Sequence, residues 1–246
     1  TWLSREGIAS VPSLAAVLAR VPKAGDVVAM HQYGWPTQPT TCYNGMIHPF
    51  APYALRGAIW YQGEANHTEG ALYADKMRAL LNGWSAAFEN PDFKLYFAQI
   101  APYRRYESAP AVLSAFWAAQ ARFAAEEPRA GMITTSDIGN PVDIHPNDKR
   151  AVGLRFALLA LKRDYGFKDL KAEAPIFRAA VVTGGVVRVA FANAGSFYVY
   201  DPVGRDDEDV TCFRLAGADG KFVDAKARID GIEVVVSAAA VPAPRR

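Results

Sequence analysis

Residues 57–66 read GAIWYQGEAN, and this stretch decides the class of fold. It is apolar up to Tyr61 and then turns polar at Gln62, Gly63 and Glu64. A short apolar run of this kind is typical of a strand buried within a parallel sheet. Polar residues directly after such a strand lie at the sheet edge where the sites of open α/β folds assemble.

Helical and strand-like segments alternate on both sides of this stretch. Between Leu72 and Phe88 the apolar residues recur with the spacing of one helix face. Further helices are predicted over 11–20, 110–127 and 147–165. Short apolar runs predict strands over 93–100 and 131–135. Such an alternation predicts a parallel sheet covered by helices on both faces.

The pattern changes after Gly166. Residues 179–189 form two β-rich runs across Gly184 and Gly185, which predicts a hairpin. Further short strands are predicted over 197–200, 210–215, 221–223 and 232–236. We therefore predict two domains, an α/β domain over 1–166 and an antiparallel β module over 167–246.

Composition and charge exclude several classes of partner. A net charge of +2 without long runs of like charge does not predict a nucleic-acid or membrane surface. Cys42 and Cys212 form no CxxC pattern, so two unpaired thiols and one long-range disulfide both remain open. The histidines show no ligand spacing, so neither a metal site nor a cofactor is expected.

The polar turn after the first strand is one candidate site. Gly63 permits a close approach of the backbone, and the side-chain amide of Gln62 can donate to a developing oxyanion. Glu64 is a candidate acid or base, or a carboxylate that holds the turn by backbone hydrogen bonds. From the pattern alone, a strand-terminating turn with solvated polar groups is the stronger interpretation.

A second candidate site lies in the loop over 137–146, between a strand and a helix. His145 in such a loop can accept a proton from a serine hydroxyl, and a carboxylate at Asp143 can fix its tautomer. The alternative is a helix-capping loop in which Asn147 or Asp148 is the N-cap and Pro146 precedes it. The pattern alone favours the capping loop.

Five short motifs, taken in order, resemble the sialate O-acetylesterase family of the SGNH hydrolase superfamily. They are YNGMIHP at 43–49, WYQGEAN at 60–66, FWAAQ at 116–120, DIHP at 143–146 and GADGKF at 217–222. The resemblance implies a flavodoxin-like three-layer α/β/α domain followed by a small antiparallel β domain. It also implies a secreted or periplasmic serine esterase that removes acetyl groups from sugar hydroxyls without a cofactor.

The resemblance implies roles for individual residues. His145 matches the general base, and Asp143 is the best candidate for its carboxylate partner. Gln62 matches the oxyanion donor, and the motifs place Gly63, Glu64 and Asn44 near the substrate.

The acid of the expected triad has more than one candidate. Superfamily members usually carry the acid three residues before the histidine, where this chain has Val142. Asp137 therefore remains a rival to Asp143, and a backbone carbonyl that orients His145 is a further alternative.

The motif that carries the nucleophile in this family is missing. Relatives place the serine in a Gly-Asp-Ser or Gly-Gln-Ser-Asn block after the first strand, and none of the serines here lies in such a block. We therefore expect the chain to be the C-terminal portion of the catalytic domain and to be inactive alone. A missing N-terminal segment or a companion chain would supply the serine.

A function of a different class is also compatible with the sequence. A non-catalytic carbohydrate-binding or scaffold protein descended from such an esterase would bind sugars without hydrolysing them. Its aromatic residues could then stack on sugar rings, and the candidates are Trp35, Tyr43, Trp60 and Tyr61.

Overall fold

The computed structural model describes residues 1–23, 38–104, 110–195 and 209–245. The chain divides into two compact units, Thr1–Ala172 and Glu173–Arg246. Trp35 and the strand predicted over 197–200 lie outside the described residues.

The first unit alternates helices and strands. Its helices are α1 (Arg5–Ala9), α2 (Ala15–Leu18), α3 (Thr41–Met46), α4 (Leu72–Ala87), α5 (Pro110–Glu126) and α6 (Lys149–Asp164). Its strands are β1 (Gly57–Trp60), β2 (Lys94–Ala98) and β3 (Ala130–Ile133), and single 3-10 turns cover Pro12–Leu14, His48–Phe50 and Glu64–Asn66. A membrane-spanning helix would need to be longer or more apolar than any helix of the described ranges.

The three long helices and the three strands predicted from the pattern are confirmed, with ends that differ by a few residues. The helix predicted over 11–20 is instead a 3-10 turn at Pro12–Leu14 followed by the four-residue helix α2. The short helices α1 and α3 were not predicted, because one turn of helix is too short to show a periodic pattern.

The strands form a parallel sheet in the order β1-β2-β3. In the register of this sheet, Trp60 pairs with Phe97, and Phe97 pairs with Met132. The helices α4 and α5 make the two crossovers between these strands. The chain therefore leaves all three strands at the same edge of the sheet, which is where both candidate sites begin.

Helices cover both faces of the central strand. Leu95 and Phe97 are fully buried in a core that also contains residues of α4 and α5. Tyr96 and Ala98 point to the other face, where Phe156 and other residues of α6 pack against them. The predicted three-layer α/β/α arrangement is therefore confirmed.

The edge strand β1 is less buried than its apolar sequence predicts. Ile59 is 67% exposed, on the face that α6 covers at β2 and β3. The opposite face of β1 is packed, since Ala58 and Trp60 join the core. In the described part of the chain, β1 thus has one covered face and one open face.

The second unit is an antiparallel sheet in the order β4-β5-β8-β7-β6. Its strands are β4 (Ile176–Thr183), β5 (Val186–Ala192), β6 (Asp209–Ala216), β7 (Phe222–Asp230) and β8 (Glu233–Ser237). The predicted hairpin is confirmed, since Thr183 pairs with Val186 across the Gly184-Gly185 turn. A parallel sheet with helices, followed by an antiparallel module, is the predicted fold class.

Candidate active site

Gly63 fixes the turn that follows β1. Its φ angle is 152°, a backbone conformation that side chains rarely adopt. A β-carbon at this position would lie 2.8 Å from Ile100 Cγ2 and 3.1 Å from Phe116 Cζ. Only a glycine therefore lets the main chain of the turn pack directly against the core.

The residue before this glycine is held on both its backbone and its side chain. Tyr73 Oη donates to the backbone carbonyl of Gln62 at 2.7 Å, and Gln62 Nε2 donates to Asn66 Oδ1 at 2.8 Å. Burial raises the pKa of Tyr73 well above its ordinary value, so its hydroxyl keeps its proton at neutral pH. Gln62 is therefore a half-buried amide with a defined orientation.

The other two residues expected near the substrate occupy different surroundings. Glu64 opens the 3-10 turn after Gly63 and is half-buried, and its carbonyl oxygen lies 2.8 Å from His67 Nδ1. Asn44 is exposed on α3, where its side-chain nitrogen lies 3.4 Å from Thr40 Oγ1. Both the backbone and the side chain of Asn44 thus bond to Thr40, the residue that precedes its own helix.

The FWAAQ motif on α5 completes the backbone hydrogen bonds where β2 ends. Gln120 is fully buried, and its amide accepts from Ile100 N and donates to the carbonyl oxygen of Ala98, each at 3.3 Å. Trp117 Nε1 donates to the carbonyl oxygen of Ile100 at 2.9 Å. Buried backbone groups need such partners. The motif therefore has a structural role at the end of β2.

The two residues expected to act as base and acid lie together in the loop after β3. Asp143 Oδ1 accepts from the backbone N–H of His145 at 2.9 Å and lies 3.6 Å from His145 Nδ1. The longer distance exceeds that of a hydrogen bond. The His145 side chain is 87% exposed and that of Asp143 47% exposed.

The same loop is anchored at several points. The backbone N–H of Arg104 donates to Pro141 O at 2.8 Å, and Ile144 packs against the main core. Asp148 caps α6 by accepting from Ala151 N at 2.9 Å. Of the two N-caps considered from the sequence, Asp148 is therefore confirmed. The loop caps α6 and at the same time leaves the side chain of His145 exposed.

Asp137, the rival acid, is engaged by an arginine. Arg155 contacts its two carboxylate oxygens at 2.8 and 2.5 Å and also donates to the carbonyl oxygen of Thr134 at 2.6 Å. The hydrogen bonds from Arg155 lower the pKa of Asp137. This arrangement ties the start of the loop to α6.

The residues expected in the site form two separate clusters at one edge of the sheet. One is the Gln62 turn after β1, and the other is the Asp143–His145 pair after β3. Lys149 Nζ lies 4.9 Å from the centre of the Tyr61 ring, which links the start of α6 to the end of β1. Among the described residues, no hydrogen bond or ion pair connects Gln62 with Asp143 or His145.

The described aromatic residues of the β1 region belong mainly to the core. The Trp60 ring makes edge contacts with Trp2 and Trp84, each at 5.9 Å between centroids. Tyr43 is buried, and Tyr61 is half-buried. These positions do not favour the interpretation that the aromatic residues stack on sugars.

The hydrogen bonds of the described serines do not involve His145. Ser4 and Ser10 make local hydrogen bonds at α1, and Ser85 donates to the carbonyl oxygen of Asn90. In the ranges that the structure covers, no serine hydroxyl is hydrogen-bonded to His145.

Comparisons with known families and sequences relate the chain to sugar esterases. A family model described as carbohydrate esterase, sialic acid-specific acetylesterase matches residues 13–162. The sialate O-acetylesterase of Rattus norvegicus is 30% identical over 158 residues, which are 57% of this chain and 29% of the relative. That of Homo sapiens is 29% identical over 173 residues, 63% of this chain and 33% of the relative.

A solved structure supports the same relationship. The crystal structure of a carbohydrate acetylesterase from Xanthomonas citri superposes with a TM-score of 0.69 and 36% sequence identity. The match covers 82% of this chain and 46% of that chain. The chain thus spans about a third of the length of the curated relatives it matches and less than half of the solved one.

The packing around Gly63 can be tested by substitution. Gly63→Ala should lower the free energy of unfolding by about 1–3 kcal/mol more than Gly70→Ala does, because only at Gly63 does the new methyl group overpack the core, and because its φ of 152° lies outside the left-handed region that other residues can adopt. Gly70 is the matched control, since its φ of 54° is also positive but nothing lies within 4 Å of its β-carbon position. Urea unfolding of both variants measures the difference, and equal losses would contradict the packing.

Proposed function

Because the chain belongs to the carbohydrate esterase family of sialic acid-specific acetylesterases, we propose that the complete protein hydrolyses acetyl esters of sugar hydroxyls. One observation carries the proposal. The turn that holds Gln62 and the loop that holds His145 follow two parallel strands of one sheet and leave it at the same edge. Active sites of open α/β sheets form at that edge.

The proposed reaction is a two-step acyl transfer. A serine hydroxyl attacks the acetyl carbonyl, and His145 Nε2 takes its proton as the new C–O bond forms. The amide of Gln62 donates to the oxyanion of the tetrahedral intermediate. When that intermediate collapses, the sugar oxygen leaves with the proton from His145. Water then attacks the acyl-enzyme with the help of the same base, and acetate is released.

Asp143 is the proposed partner of His145 in this reaction. Its carboxylate lies on the Nδ1 side of the ring, at 3.6 Å, which leaves Nε2 for the serine. A shortening of this contact to hydrogen-bond length is common when a catalytic complex forms. Asp137 fits the role less well, because both of its carboxylate oxygens are already held by Arg155.

The nucleophile is proposed to come from a segment outside these 246 residues. Two observations support this part of the proposal. The described serines are not hydrogen-bonded to His145, and the matched relatives are about three times longer than the part they share with this chain. The missing N-terminal segment or companion chain is thus a partner of the site. A periplasmic or extracellular location is part of the same proposal and rests on the family alone.

The function can be tested with p-nitrophenyl acetate. The complete protein, with its upstream segment, should hydrolyse this ester, and His145→Ala should lower kcat by at least about 10³-fold because a triad acts as a unit. The 246-residue chain alone should show only the rate of its own His145→Ala variant. Turnover by the isolated chain that a serine-directed inhibitor blocks would contradict the external nucleophile.

The two aspartates can be separated by a matched pair of variants in the complete protein. Asp143→Asn should lower kcat by about 10²–10⁴-fold, since the imidazolium loses its carboxylate partner. Asp137→Asn should leave kcat within about tenfold of wild type, because Asp137 stabilises the loop through its ion pair with Arg155 and takes no part in the reaction. The reverse ranking of the two losses in kcat would identify Asp137 as the acid.

The pH dependence of stability provides a second readout for Asp137→Asn. The pKa of Asp137 is lowered in the folded state, so its carboxylate stabilises the fold above the unfolded-state pKa. This stabilisation is lost as the pH falls through the lowered, folded-state pKa. Wild type should therefore be more stable than Asp137→Asn at neutral pH, and the difference in unfolding midpoint should vanish in acid.

A further inference from the structure

The side-chain amide of Gln62 has two N–H groups, and the structure accounts for one of them. Gln62 Nε2 donates to Asn66 Oδ1 at 2.8 Å, while Tyr73 Oη lies 3.4 Å from Gln62 Oε1. The carbonyl side of the amide thus faces a hydroxyl, and the nitrogen side faces an acceptor. Within the described part of the chain, the second N–H of Gln62 has no acceptor.

A cavity adjoins this amide. It has a volume of about 390 Å³, and both Gln62 and Asn66 line it together with apolar side chains such as Leu80 and with the ion-paired Glu69 and Lys76. A hydrogen-bond donor in such partly apolar surroundings interacts more strongly with an oxyanion than it would in water. Gln62 is thus hydrogen-bonded to Asn66 and also lines a cavity beside that bond.

The backbone of Asn66 does not depend on its side chain. Its N–H donates to the carbonyl oxygen of Gly63 at 2.8 Å, within the turn at Glu64–Asn66. Loss of the side-chain amide would therefore remove the contact with Gln62 and keep the bond that closes the turn. A residue that only shaped the turn would not need a side-chain acceptor aimed at Gln62.

We propose that Asn66 is a positioning residue for the esterase reaction, which holds the amide of Gln62 so that one N–H stays available for the oxyanion. This inference rests on the proposed function and adds to it a residue without an assigned role. The side chain of Asn66 does not touch the reacting atoms. It restricts the rotation of Gln62, and fixing a donor before the reaction lowers the cost of reorganisation in the transition state.

We expect a neutral acceptor at this position to serve the reaction better than a charged one. A carboxylate could accept the same hydrogen bond from Gln62 Nε2, but its negative charge would lie one amide group away from the developing oxyanion. Like charges at such a distance repel strongly in partly desolvated surroundings. Asn66→Asp should therefore fail to restore the rate, although it keeps an acceptor oxygen.

A double-mutant cycle in the complete protein tests the proposal. With p-nitrophenyl acetate, Gln62→Ala should lower kcat by about 10²–10³-fold, and Asn66→Ala by about 10–100-fold with KM changed by less than about threefold. The double variant should be no slower than Gln62→Ala within about twofold, because the effect of Asn66 passes through Gln62. Asn66→Asp should be at least as slow as Asn66→Ala.

Asn82→Ala is the control for a loss that is only structural. Asn82 lies on α4, where its side chain bonds Ser10 and Arg129 away from the Gln62 turn. This variant should shift the unfolding temperature without lowering kcat by more than about twofold. Losses that multiply in the double variant, or Asn66→Ala with unchanged kcat, would overturn the positioning role.

The esterase function itself fails in a different way. If the wild-type protein does not hydrolyse the ester, or if His145→Ala leaves the rate intact, then the proposed function is wrong, whatever Asn66 does. A fast wild type, a slow His145→Ala and an unaffected Asn66→Ala would instead refute only the role of Asn66. The two failures are therefore distinguishable in one set of assays.

Discussion

At Gly63 the main chain of the β1 turn lies against Ile100, Phe116 and Tyr73, with no room for a β-carbon. The turn after β1 thus contacts three other parts of the unit: Ile100 follows β2, Phe116 lies on α5 and Tyr73 lies on α4. The turn cannot shift without disturbing the core, since close-packed interiors transmit such strain. The positions of Gln62 and Asn66 on either side of Gly63 are therefore set by the packing of the whole α/β unit.

The two halves of the candidate site differ in how firmly they are held. Gln62 is half-buried and bonded through its backbone and its side chain. His145 is almost fully exposed, although its loop is anchored by Arg155 and by the cap at Asp148. The proposed oxyanion donor is thus held in one orientation by the protein itself. The proposed base, His145, has the carboxylate of Asp143 beside it.

The parts of the fold that could be predicted are those with a periodic pattern. The long helices, the parallel sheet and the β4–β5 hairpin followed from apolar spacing and the Gly-Gly turn. The open face of β1 at Ile59 could not be predicted, because sequence does not show which helix covers which strand. The pairing of Asp137 with Arg155 joins residues 18 positions apart in the chain, which local patterns do not record. The structural role of Gln120 could not be predicted either, because a buried amide and a solvated one look alike in sequence.

A crystal structure of the complete protein after reaction with a phosphonate ester tests most directly whether the sheet edge is one active site. A phosphonylated serine mimics the tetrahedral intermediate of acyl transfer. Its phosphoryl oxygen should lie about 2.7–3.1 Å from Gln62 Nε2, with His145 Nε2 within hydrogen-bond reach of the serine oxygen and Asp143 on the other side of the ring. A label on a serine of these 246 residues, or a phosphonyl group remote from either Gln62 or His145, would contradict it.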